Sequence, residues 1–258
     1  MLTVGSCFSG IGGLELGLEW TGGFETKWQI EIDPYATKVL EKHWPKVKRY
    51  GDITTVENLE RCDIICGGFP CQDISIANVN GTGLQGSRSG LWRELLRTIC
   101  MVRPRFSIVE NVPMLLNRGM GTVLGDLAET GHDAEWDCLS SHRSGGADHM
   151  RLRVFIVAYP TSERRNASTV FSRTVEPCKN PTPRTRDRAW IVPGRTSGRT
   201  WAFPNTGTFR IPDGISAGVY RNREWEQRLK CVGNAVDPRV AQKIGEMILR
   251  SEGNERRE

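Results

Sequence analysis

The stretch LTVGSCFSGIGGLELGLEW, residues 2–20, decides the fold. Residues 2–8 are apolar and β-rich, FSGIGG makes a tight glycine-rich turn, and residues 13–20 read as a helix. A strand that feeds a helix through glycines brings backbone close to a ligand and points helix N-terminal N–H groups at it. The spacing is not the GxGxxG of dinucleotide folds, because Glu15 stands where the third glycine would fall. A purely structural turn is the competing reading of such a loop.

Outward from this unit the same alternation continues. Strands are expected at 27–31, 63–66, 106–110, 132–139 and 153–158, and helices at 34–43, 91–102 and 121–130. Strands alternating with helices of about ten residues imply βαβ units and a mainly parallel sheet. Ligands of such sheets bind at the carboxyl ends of the strands. After Tyr159-Pro160 the composition shifts to Arg, Thr, Ser, Pro and Gly with weak periodicity, and helical spacing returns at 238–250. A main α/β domain at 1–159, completed by 228–250, is therefore expected, with residues 160–227 a small, basic, irregular domain or insertion and 251–258 a polar tail.

A chain of 258 residues with 38% hydrophobic and 25% charged residues is expected to bury a sizeable core. It has no apolar run of membrane-spanning length and no secretory leader pattern at its start. The eight cysteines form no CxxC pair and no His/Cys group of zinc spacing, so reduced thiols in a cytoplasmic protein without a structural metal are expected. The overall charge of +5 is uneven: residues 160–228 carry thirteen basic and six acidic side chains, a net +7, which leaves −2 elsewhere. That asymmetry suits a polyanion partner, and equally a solvated loop face.

Several short motifs carry chemistry. Glu31 in WQIEIDP ends the second strand, where a carboxylate suits ribose hydroxyls, and Asp52 in YGDI is placed to accept from an adenine amino group. Each acid alone is as readily a surface carboxylate or a helix cap. In GGFPCQDIS, residues 67–75, Cys71 follows a proline at a strand end. A buried, inert thiol is the usual fate of a cysteine, but Gly, Pro and Gln neighbours make a core position unsuitable, and a nucleophile is the alternative. Glu110 in IVENVP ends the next apolar strand, where an acid is able to protonate a heteroaromatic ring under attack by a thiolate. Arg151 and Arg153 enter a strand on one face, suited to a phosphate and a base carbonyl. KCVGNAVDP, residues 230–238, offers a Gly-Asn turn at the start of the last helix.

Taken in this order, these elements resemble the cytosine-5 DNA methyltransferase family. The resemblance implies an α/β, Rossmann-like fold that uses S-adenosylmethionine and carries a small irregular target-recognition domain. It implies cofactor contacts at Phe8, Gly10, Ile11 and Gly12; at Glu31 with Ile32 and Asp52 with Ile53; and at Pro70, Leu91, Asn234, Ala235 and Val236. In the family's chemistry the target cytosine is flipped out of double-stranded DNA and the Cys71 thiolate adds to carbon-6. Glu110 hydrogen-bonds ring nitrogen 3 and the amino group, Arg153 holds the base carbonyl, and Arg151 a phosphate. Carbon-5 takes the methyl group, loses its proton, and Cys71 is eliminated. Gln72, Ser75, Arg210 and Arg223 are the expected DNA contacts, and residues 72–90, with four glycines, a closing loop. Two departures stand out: Ser6 where the family often has an acid, and His149 where its QxRxR motif has Gln.

An RNA cytosine-5 methyltransferase shares these motifs, and side-by-side turnover on duplex DNA and tRNA separates the two. A non-catalytic DNA-binding regulator would have less reason to keep Cys71, Glu110 and Arg153 together. A nicotinamide-dependent oxidoreductase is opposed by the glycine spacing. The compact chain suits a monomer from a phage or restriction–modification setting, with a cognate endonuclease encoded nearby.

Overall fold

The computed structural model describes residues 1–70, 90–142, 151–163, 170–171, 201–203, 207–209 and 223–255. Seven strands form the central sheet: β1 (Leu2–Cys7), β2 (Phe24–Ile30), β3 (Lys48–Tyr50), β4 (Ile64–Gly68), β5 (Phe106–Asn111), β6 (His132–Ser140) and β7 (Leu152–Pro160). Their order is β3-β2-β1-β4-β5-β7-β6. The first five pair in parallel, as expected. The last two expected strands differ: β7 runs antiparallel to both β5 and β6. The chain winds outward in one direction through β2 and β3, then returns past β1 to β4. This reversal makes a topological switch point between β1 and β4.

Helices cover both faces. They are α1 (Gly13–Trp20), α2 (Pro34–His43), α3 (Gly90–Val102), α4 (Leu115–Arg118), α5 (Met120–Glu129), α6 (Arg223–Asn234) and α7 (Pro238–Glu255). Successive residues of the inner strands serve opposite faces, so their runs are apolar throughout. Ile65, Val109, Val154 and Ile156 join Trp92, Leu95 and Ile99 of α3 and Val123 and Leu127 of α5 in one core. Ile64, Phe106, Ile108, Phe155 and Val157 join Leu14 and Leu18 of α1 and Val240, Ala241 and Ile244 of α7 in the other. Residues 13–20 and 238–255 thus lie side by side. A Cβ on Gly17 would collide with the Pro238 carbonyl and the Ala241 side chain, so only glycine allows this approach.

Two expectations change. Gly233 and Asn234 do not begin the last helix; they end α6, and residues 235–237 turn into α7. Helix α6 itself starts at Arg223, inside the stretch read as irregular. Its exposed Glu226, Arg228, Lys230 and Val232 explain the weak apolar signal. Within that stretch two short strands, β8 (Trp201–Phe203) and β9 (Gly207–Phe209), pair antiparallel. Val170 and Phe171 are buried, and their N–H groups donate to the Glu135 carboxylate on β6 at 3.2 Å each. Among the described residues no helix is long and apolar enough to cross a membrane.

Candidate active site

The carboxyl ends of β1 to β5 open into one cavity of about 870 Å³. Phe8, Ser9 and Gly10 follow β1; Glu31, Ile32 and Asp33 follow β2; Gly51, Asp52 and Ile53 follow β3. Gly68, Phe69 and Pro70 come from the end of β4, and Glu110, Asn111 and Val112 from that of β5. Leu91 of α3 and the turn Asn234, Ala235 and Val236 complete the lining. In the glycine-rich turn Phe8 adopts a positive φ of 54°. For a non-glycine residue that costs about 1–3 kcal/mol and persists only because the surrounding turn holds it.

Glu31 secures this turn. Its Oε2 accepts from the Gly10 N–H and its Oε1 from the Asp33 N–H, both at 2.7 Å. Asp33 caps α2, accepting from the Tyr35 and Ala36 N–H groups, and pairs with Lys230 at 2.8 Å across the cavity mouth. That ammonium, together with the two N–H groups, holds the Asp33 carboxyl below its ordinary range. Asp52 accepts from the Thr54 N–H and hydroxyl and is likewise lowered. Two carboxylates at adjacent strand ends, with Phe8, Ile32, Ile53 and Leu91 as apolar walls, fit the hydroxyls and flat base of a nucleoside. The volume is within the range of cofactor sites. The residues present therefore fit the nucleoside part of S-adenosylmethionine.

The other half of the cavity is charged. Glu110 is nearly buried, and its Oε1 receives Arg153 Nε at 3.0 Å. Burial raises the Glu110 pKa, and the charges of Arg153 and Arg151 oppose the rise. Glu110 sits beside Gly68 in the β4–β5 register, and a Cβ on Gly68 would come within 2.5 Å of Glu110 Oε2. Glycine here leaves the carboxyl its position. Asn111 holds the chain leading toward residue 71, its Nδ2 donating to the Phe69 carbonyl at 3.2 Å. Arg151 is 5% exposed and donates from Nη1 to the Gly233 carbonyl at 2.7 Å. Burial, then the charge of Arg153, lowers its pKa to about 10, so it is still a cation at neutral pH.

Of the expected residues, Phe8, Gly10, Glu31, Ile32, Asp52, Ile53, Pro70, Leu91, Glu110, Arg151, Arg153, Asn234, Ala235 and Val236 meet in this one cavity. Ile11 and Gly12 do not line it; Gly12 is the N-cap of α1 and packs against Trp44. Cys71, Gln72, Ser75, Arg210 and His149 lie outside the described residues, as does the side chain of Arg223, the first residue of α6. Pro70, directly before Cys71, lines the cavity. Ser6 does not, being buried and hydrogen-bonded to Ser9 at 2.9 Å. Sequence reading missed Asp33, Gly68, Lys230 and Cys231. The signal for Asp33 was Asp-Pro, a helix cap two residues after Glu31.

Residues 2–190 match the model of the family described as C-5 cytosine-specific DNA methylase. The chain belongs to that family. Type II methyltransferase M2.BsuMI of Bacillus subtilis is 40% identical over 165 residues, 61% of this chain and 42% of the relative. Type II methyltransferase M.HgiCII of Herpetosiphon aurantiacus is 36% identical over 157 residues, 58% of this chain and 35% of the relative. The matched region thus spans less than half the length of either relative. Among solved structures, the methyltransferase EhMeth of Entamoeba histolytica superposes with a TM-score of 0.55 at 18% identity, covering 66% of this chain and 56% of that one. That likeness concerns the Rossmann-like fold.

Proposed function

We propose that this protein is a DNA cytosine-5 methyltransferase that attacks a flipped-out cytosine in duplex DNA with Cys71. The observation that carries the reading is the pairing of the two half-sites. The Glu31 and Asp52 carboxylates and the Glu110–Arg153 pair share one cavity at neighbouring strand ends, with Pro70 at its edge. Family membership over residues 2–190 supports the same chemistry. S-adenosylmethionine, when bound, supplies an electrophilic methyl group. Glu31 and Asp52 hold its ribose and adenine, between the apolar walls and the Asn234–Val236 turn. Burial keeps a proton on Glu110 to higher pH than usual, which suits hydrogen bonding to ring nitrogen 3 as Cys71 adds to carbon-6. Arg153, paired with Glu110 at 3.0 Å, would hold the base carbonyl.

Residues 160–227 are proposed as the target-recognition region, whose arginines contact phosphates and base edges. The remainder forms the catalytic body, completed by 228–250. The curated relatives named Type II methyltransferases favour a restriction–modification setting with a cognate endonuclease. Bisulfite sequencing of plasmid from cells expressing the protein tests the reading beside a Cys71→Ala control. Methylation confined to one short motif, and absent from the control while DNA binding persists, is expected. Turnover above background in Cys71→Ala would remove Cys71 as nucleophile. Methylation of tRNA without methylation of plasmid would replace DNA by RNA as substrate.

A further inference from the structure

We propose that Arg151 is a positioning residue that fastens the cofactor-side turn to the base-side strand, rather than a phosphate ligand. The inference rests on the methyltransferase reading and deepens it. Arg151 directly precedes β7, two residues before the Arg153 that pairs with Glu110. Its guanidinium leaves that strand and donates to the carbonyl of Gly233, in the last turn of α6. Carbonyls at a helix C-terminus lack intrahelical donors and carry partial negative charge, so a buried cation is well placed there.

The next residues, Asn234, Ala235 and Val236, line the cavity, and the Val236 carbonyl packs where a Cβ on Gly13 would have to be. Arg151 therefore stands between the glycine-rich half of the site and the Glu110 half. Its backbone is fastened as well, because the Ser141 N–H donates to the Arg151 carbonyl at 3.1 Å. The negative charge of Asp237, at the end of the same turn, also acts on the guanidinium. A side chain 5% exposed, with one arm committed to Gly233 and its Nε buried without a partner, offers little surface to a solvated phosphate. It is suited to keeping the 233–237 turn at a fixed distance from β7.

The two roles separate by which ligand weakens. S-adenosylmethionine is titrated calorimetrically, without DNA, into wild type, Arg151→Lys and Arg151→Gln. Affinity for a cognate duplex is measured over a range of KCl concentrations. Positioning predicts at least tenfold weaker cofactor binding for Arg151→Gln and partial recovery for Arg151→Lys. In turnover the KM for cofactor rises while the KM for DNA and the salt slope of DNA binding stay at wild-type values. A phosphate role predicts the reverse: unchanged cofactor affinity and a log–log salt slope reduced by about 1. That result overturns the inference. If Arg151→Gln fails to fold, Arg151→Lys carries the same comparison. Wild type that binds no S-adenosylmethionine defeats the functional reading itself, whereas wild-type affinity in a folded Arg151→Gln defeats this inference alone.

Discussion

Glu15 occupies the first turn of α1 and is fully buried directly behind the glycine-rich turn. Its Oε1 accepts from Gln29 Nε2 at 3.3 Å. Burial raises its pKa, against the weaker pull of its own N–H, Ser6, Ser9 and Gln29. An acid whose pKa is higher folded than unfolded contributes its full stability below the unfolded value, about 4.3. The contribution is lost as pH rises through the folded value. Glu15→Gln, which does not titrate, should therefore melt progressively higher than wild type as pH goes from 4 to 8. A difference in melting temperature that stays flat with pH would mean that Glu15 is ionised in the fold. Which residues were legible follows from where their meaning lies. Glu110 and the arginine pair were readable because their chemistry is in the side chain itself. Gly68 was not, because its role is to leave room for a carboxyl on the neighbouring strand, and that depends on register.

Helix α1 and helix α7 approach so closely that Gly17 lies against backbone of the partner helix. Gly17→Val should separate them and destabilise the fold by about 1–3 kcal/mol, the usual cost of overpacking. Urea unfolding followed by circular dichroism measures this, and an unchanged midpoint would show that the pair re-seats without loss. The strands buried on both faces and the helices with an apolar stripe were readable from the sequence within a few residues. Strand direction at β6 and β7 was not, since alternation looks the same in parallel and antiparallel pairs. Helix α6 escaped notice because it buries little, and its position is set by long-range partners such as Asp33 and Arg151.

At the level of the whole molecule, charge is partitioned: the basic stretch carries the excess that a polyanion would meet, and the body is close to neutral. Within the proposed recognition region, Val170 and Phe171 donate to Glu135 at the edge of the sheet and α6 starts at Arg223, which leaves 172–222 as the part to exchange. Replacing 172–222 by a short Gly/Ser linker should leave S-adenosylmethionine binding intact and abolish sequence-selective binding to DNA. Loss of cofactor binding by that variant would show that the two parts are not separable. The pairing of α1 with α7 also has a consequence in time. Leu14 and Leu18 share a core with Val240, Ala241 and Ile244, which lie 222 to 230 residues later in the chain. At roughly 5–20 residues per second, some 10–45 s of synthesis elapse before that cover exists. Throughout that interval α1 has the sheet residues Val4, Phe24 and Ile64 to pack with but not the partner helix, and apolar surface left open in this way is what chaperones bind and what aggregates.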